Sequence, residues 1–159
     1  MHDQTQPPSS QWTDHTQTGE RYLESAVRTA SPARLRLMLI ERSVEVCTTL
    51  AENWRGKQDL GPNAHSLKLL DLLNELLRGV VGGKEPSEQE VSRKVADLYV
   101  FLAKHLVKAE RNSDAGAIDE IRSVLEIEAE TWRAVCSREA SSGNAPSATP
   151  EGGGLSFEA

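Results

Sequence analysis

Aromatic residues are scarce in this 159-residue chain: two Phe, two Tyr and three Trp, 4% in all. A sheet core draws heavily on aromatic and β-branched side chains. The core here must come from Leu, Val, Ile and Ala, which suits helices packed on helices. Cysteine is also rare. Cys47 and Cys136 are the only two, without metal-type spacing, and read as reduced core thiols of a cytoplasmic protein. Basic residues are outnumbered, 18 against 24 acidic, for a net charge of -6. That balance argues against a nucleic-acid partner, because phosphate backbones reward clustered Lys and Arg. No apolar run is long enough to span a bilayer. The opening MHDQTQPPSSQW lacks a basic n-region and an apolar h-region, so nothing in it directs export.

Signs of chemistry are missing too. His2, His15, His65 and His105 form no i, i+4 pair, and no Glu-x-x-His, H-E-x-x-H, P-loop or G-x-G-x-x-G motif occurs. His105 reads as a helix-edge histidine, since a catalytic one needs an aligned carboxylate or nucleophile. The expectation is a protein that is not an enzyme and uses no metal or cofactor.

Helical periodicity fills the middle of the chain. Residues 1–19 are polar and contain Pro7-Pro8, and the far end SSGNAPSATPEGGGLSFEA is a Gly/Pro/Ser/Ala tail. Neither offers enough apolar surface to offset the entropy of ordering, so both are expected to be disordered. The reading is a disordered extension over 1–19, a helical domain over 20–136 and a disordered tail over 137–159. Ser31-Pro32 is a start signal: Ser caps the first free N–H groups and Pro fits the first helical position. From there to about Trp54, Leu35, Leu39, Val46, Leu50 and Trp54 lie on one stripe and Leu37, Ile40, Val44, Cys47 and Ala51 on a second. A second helix, about Ala64 to Val81, carries Leu69, Leu73, Leu76 and Val80 beside Leu70, Leu72, Leu77 and Val81. The third opens at PSEQE, with Ser87 and Glu90 as a capping box, and runs through Val91, Val95, Leu98, Leu102, Leu106 and Ala109, leaving Tyr99 and Phe101 off the stripe. After RNSDAG the fourth holds Ile118, Ile121, Leu125, Trp132 and Val135 in register, with Asp114 as its N-cap. Four long helices on short loops predict an all-α, antiparallel up-down four-helix bundle with a short N-terminal lead-in helix or arm and disordered tails.

Double stripes are wider than one neighbouring helix needs. The surplus can be core, a dimer face or a groove for an amphipathic helix, and periodicity leaves these open. Asn74-Glu75, a polar pair in the leucine-rich helix, reads either as a solvated face or as a polar contact to a bound chain.

The segment Tyr22, Val27, Thr29-Ala30-Ser31-Pro32, Leu35 and Leu37-Met38-Leu39 resembles the signature of the FliS family, the flagellin-specific export chaperones of bacterial flagella. LLNEL at 72–76 continues the resemblance. Leu98-Tyr99, Leu106-Val107 with Ala109, Asp114 and Trp132 extend it to Val135. The chain departs where the family has an aromatic residue, an acid or Asn, and then Gly: here stand Ile40, Glu41 and Arg42. Arg34 also replaces a frequent Glu in the first helical turn.

The resemblance implies a cytoplasmic chaperone that binds the C-terminal amphipathic segment of flagellin and prevents its premature polymerisation. It would deliver that segment to the flagellar type III export gate, whose membrane protein offers a cytoplasmic domain as partner. No membrane insertion is implied, and a homodimer stays open. The expected groove and lid comprise Tyr22, Val27, Leu37, Ile40, Leu70, Leu72, Leu77 and Tyr99, with Tyr22 on a segment that covers the groove until the guest arrives. The competing reading is a structural bundle that self-associates through its leucine-rich second helix.

Overall fold

The computed structural model describes residues 29–143 and, ahead of them, 20, 21, 24 and 25. These lead-in positions and Thr29 are helical, and Thr29 Oγ1 donates to Ser25 O one turn back at 3.0 Å. Four long helices follow: α1 (Pro32–Arg55), α2 (Ala64–Arg78), α3 (Pro86–Glu110) and α4 (Ala115–Gly143). No strand occurs among the described residues.

Local chemistry sets each boundary. Ser31 is extended, its Oγ accepts from Arg34 N at 3.2 Å, and Pro32 opens α1. Asn63 Oδ1 accepts from the N–H groups of His65 and Ser66, while Ser66 Oγ accepts from Asn63 N, which closes a capping box on α2. That helix stops at Arg78, short of the expected Val81, because Gly79 takes the C-cap and donates to Glu75 O at 3.1 Å. The cap expected at Ser87 is wrong. Pro86 is already the first helical residue, so Glu85 is the extended cap, Ser87 lies inside the first turn, and Glu88 rather than Glu90 reaches back to Glu85 N at 3.3 Å. Asp114 Oδ1 accepts from Ala117 N at 3.1 Å and caps α4. Just before it, Ser113 adopts a left-handed φ of 48° and its Oγ accepts from Gly61 N at 2.7 Å, tying the α1–α2 and α3–α4 turns together. The last helix continues to Gly143, past the domain limit expected at 136.

Cross-helix bonds fix the up-down order. Ser31 at the start of α1 donates to Glu139 near the end of α4, while Arg55 at the end of α1 pairs with Asp119 near the start of α4. Tyr99 donates to Glu128 and His105 meets Glu120, so α3 and α4 also run oppositely. Each helix packs on its two ring neighbours, most extensively α1 on α4 and least α3 on α4.

The two stripes of α1 merge into one broad buried face because that helix serves two neighbours. Leu37, Ile40, Cys47, Leu50 and Trp54 are all at most 1% exposed. Leu69, Leu73 and Leu76 of α2 join them, with Leu102 and Leu106 of α3 and Ile118, Ile121 and Leu125 of α4. Their spacing of three and four residues is the seam of a helix bundle. Arg42, where the family has Gly, points to solvent and pairs with Glu45 at 2.9 Å; the small buried residue is Ser43, whose hydroxyl donates to Leu39 O at 2.7 Å.

Candidate functional site

What the core leaves outside falls most heavily on α3, with Leu67 on α2 and Ile127 on α4. Leu67 is 60% exposed, Val107 47% and Val91 61%. Two apolar troughs lie at opposite ends of the α2–α3 seam. The first holds about 410 Å³ and is lined by Leu70 on α2, by Ala103, Lys104, Val107 and Lys108 on α3 and by Arg111 at the α3 C-cap. The second holds about 310 Å³ and includes Arg36, Val80, Val81, Val91, Val95 and Trp132.

The second trough is organised by Arg36. Its guanidinium carbon lies 5.2 Å from the ring centroids of both Tyr99 and Trp132, a cation between two π faces. Arg36 Nη1 donates to Leu76 O at 3.1 Å, satisfying a carbonyl that the end of α2 would otherwise orphan. Its Nε and Nη2 are buried without an acceptor among the described residues. The Tyr99 hydroxyl donates to Glu128 Oε2 at 3.1 Å, and burial pushes it up to about 12, with Arg36 opposing.

The far side of the molecule differs in character. Glu41, Glu45, Glu126 and Glu130 line a cleft between α1 and α4, relieved by Arg133, which bonds Glu41 at 3.3 Å. Burial also lifts the Cys47 thiol to about 12, so it is a core group and not a reactive one. No cluster of metal-ligating side chains occurs among the described residues. No helix among them is long and apolar enough to cross a membrane.

The expected groove residues separate into three sets. Tyr22 and Val27 lie outside the described residues. Leu37, Ile40, Leu72 and Tyr99 are buried at 5% exposure or less and cannot line an open groove. For the two α1 residues the reason is the double packing of that helix. Tyr99 turns inward because the α3 stripe runs 99, 102, 106, 109, so the ring takes the place expected for Leu98. Leu70 and Leu77 remain half-buried, and Leu70 forms a wall of the first trough. Sequence reasoning missed Ala103, Lys104, Val107, Lys108 and Arg111. The signal was present: one step off the core stripe of α3, apolar residues at 100, 103 and 107 run beside cations at 104, 108 and 111. Phe101, the other aromatic residue read as off the stripe, is 58% exposed and stacks on His105 with ring centroids 5.6 Å apart.

The described residues form an all-α bundle with apolar troughs open to solvent, the kind of surface that suits a helical binding protein. The family model described as "Flagellar protein FliS" matches residues 15–139, so the chain belongs to the FliS family. It is 23% identical over 111 residues to the flagellar secretion chaperone FliS of Escherichia coli (strain K12), covering 70% of this chain and 80% of the relative. It is 26% identical over 114 residues to the flagellar secretion chaperone FliS of Salmonella typhimurium (strain LT2), covering 71% and 82%. Membership puts the chain outside the enzymes.

Proposed function

We propose that the protein is a flagellar secretion chaperone that holds the C-terminal segment of flagellin in the cytosol, keeps it from polymerising and hands it to the type III export gate. Family membership and the names of the two relatives support the chaperone role. The observation that carries the flagellin reading is the first trough, where Leu70 and Ala103, packed on the edge of the core, and the exposed Val107 offer apolar wall to solvent. Bare apolar walls between two helices suit the apolar face of a third.

The physical steps are simple. Flagellin's segment folds as amphipathic helices along α2 and α3, burying on the order of 1,000 to 3,000 Å² while ordering costs about 2 to 5 kcal/mol. A net of about -8 to -12 kcal/mol corresponds to micromolar to nanomolar binding. Release then requires only competition or pulling at the gate, whose membrane protein receives the complex through its cytoplasmic domain. Leu70 and Leu77 contact the guest. Leu37, Ile40, Leu72 and Tyr99 form the core under the surface. Tyr22 and Val27 belong to the arm that covers the trough, where an amphipathic ring buries its face and keeps its hydroxyl wet.

Self-association through α2 is less favoured, because Leu69, Leu72, Leu73 and Leu76 are spent inside the monomer. The test is a pull-down with full-length flagellin and with flagellin truncated at its C-terminus. Capture of the first and loss of the second supports the reading; equal capture, or none, overturns it.

A further inference from the structure

The first trough carries more than apolar wall. Lys104 and Lys108 on α3 and Arg111 at its C-cap stand at i, i+4 and i+7 and flank it along one edge. Among the described residues none of the three enters an ion pair within the limits that bring together Lys94 with Glu90 or Arg122 with Asp119. The three stand in a row on a chain whose net charge is -6. They run parallel to Val100, Ala103 and Val107, so one face of α3 presents an apolar stripe bordered by a basic one. From residue 100 to residue 111 this double stripe is about 16 Å long at 1.5 Å per residue, roughly three helical turns.

We infer that the first trough selects an amphipathic helix whose apolar face is bordered by acidic residues at i, i+4 and i+7, set opposite Lys104, Lys108 and Arg111. This rests on the reading that the trough receives a flagellin helix and adds the chemistry that orients it. Apolar contact alone fixes neither the register nor the direction of a docked helix. A charged edge does both, because a reversed helix or one slipped by a turn brings its acids away from the cations. A nucleic acid fits poorly, since the wall between the cations and α2 is aliphatic and offers its bases no stacking partner. A second copy of this chain fits poorly as well. Its own acidic cleft, on α1 and α4, is lined by four glutamates with Val44 and Ala129 between them, and joining unlike faces produces open chains of molecules instead of a closed pair.

The experiment uses the full chain and a peptide of flagellin's C-terminal segment, titrated by calorimetry at roughly 0.05 M and 0.5 M salt. These bracket strong and weak screening of exposed charges. Lys104→Glu/Lys108→Glu is compared with Arg93→Glu/Arg138→Glu, which changes the net charge equally at exposed positions away from the trough. The expected result is an affinity loss of about tenfold or more for the trough pair at low salt, shrinking to about threefold at high salt, and less than about threefold for the control pair at either. A peptide with its bordering acids changed to Lys recovers affinity for the trough pair. Matching thermal melts show that all variants fold. If the wild-type chain binds the peptide and the trough pair binds it equally well at low salt, the charged edge is refuted and the flagellin reading stands. If the wild-type chain does not bind at all, both fall. If the reversal instead dissolves a self-associated form, the occupant is a second copy and the inference is overturned.

Discussion

Replacing Ile40 and Leu70 by Ala, one at a time, separates the core of the bundle from its working surface. Both residues came out of the sequence as groove candidates. Ile40 is 0% exposed, while Leu70 is half-buried and forms one wall of the first trough. Ile40→Ala removes three carbons from a closed site, about 2.4 kcal/mol of transfer free energy at ~0.8 kcal/mol per group. A cavity term adds to this and brings the total to roughly 3 to 4 kcal/mol. Leu70→Ala removes the same number of carbons, but part of that surface already faces water and no closed cavity forms. Its stability loss is about 1.5 to 2 kcal/mol. Affinity reverses the order. Leu70→Ala loses about 1 to 2 kcal/mol of contact with a docked helix, roughly five- to thirtyfold in Kd, whereas Ile40→Ala leaves the Kd of the folded fraction within about twofold. Urea unfolding gives the first quantity and calorimetric titration with flagellin's C-terminal peptide gives the second. If Ile40→Ala weakens binding by tenfold at unchanged stability, the guest reaches α1 and the division between core and trough is wrong.

Alkaline pH probes the interior. The Cys47 thiol is lifted from 9.0 to about 12 and the Tyr99 hydroxyl from 10.0 to about 12, both chiefly by burial. Below pH 9 both groups are protonated in the folded and unfolded chain, and neither makes stability depend on pH. Between 9 and 12 the unfolded chain loses the thiol proton first, so stability falls by at most about 1.4 kcal/mol per pH unit, and more steeply once Tyr99 joins above 10. Urea midpoints measured from pH 8 to 11 check this, and Cys47→Ala delays the onset to about pH 10. At pH 8 a thiol reagent should label Cys136, which is half-buried, well before Cys47, which labels only on unfolding; equal rates contradict the packing. Ser31→Ala loses the bond to Arg34 N and the link to Glu139, and should lower stability by about 1 kcal/mol in thermal or urea unfolding, with no effect counting against Ser31 as the cap.

Much of the fold was legible in the sequence because the helices carry their own punctuation. Ser31-Pro32 and Asp114 act where their chemistry put them. The misplacement at Ser87 shows the limit: Ser-x-x-Glu is a good capping pattern, but Pro at the preceding position had already begun the helix one residue earlier. The site was less legible, for a physical reason. Periodicity shows which side chains share a face but not how many neighbours that face will meet. The double stripe of α1 looked like surplus and is consumed by α2 and α4 together. On α3 Leu102, Leu106 and Ala109 lie on the stripe as expected, but Tyr99 takes the inward place expected for Leu98, while Ala103, Val107 and their bordering cations sit one step off that stripe. Distinguishing position 98 from 99 as the inward residue depends on the rotation of the whole helix in the bundle, which is set by packing and not by local sequence.

The central claim is that the troughs along α2 and α3 are kept bare for another protein's chain. Molar mass by light scattering, taken for the protein alone, for flagellin alone and for their mixture, tests it most directly. The account predicts a monomer of 17.4 kDa that joins a single flagellin in the mixture and stops it from growing into filament. A protein that is dimeric by itself and leaves flagellin's mass and polymerisation untouched contradicts it.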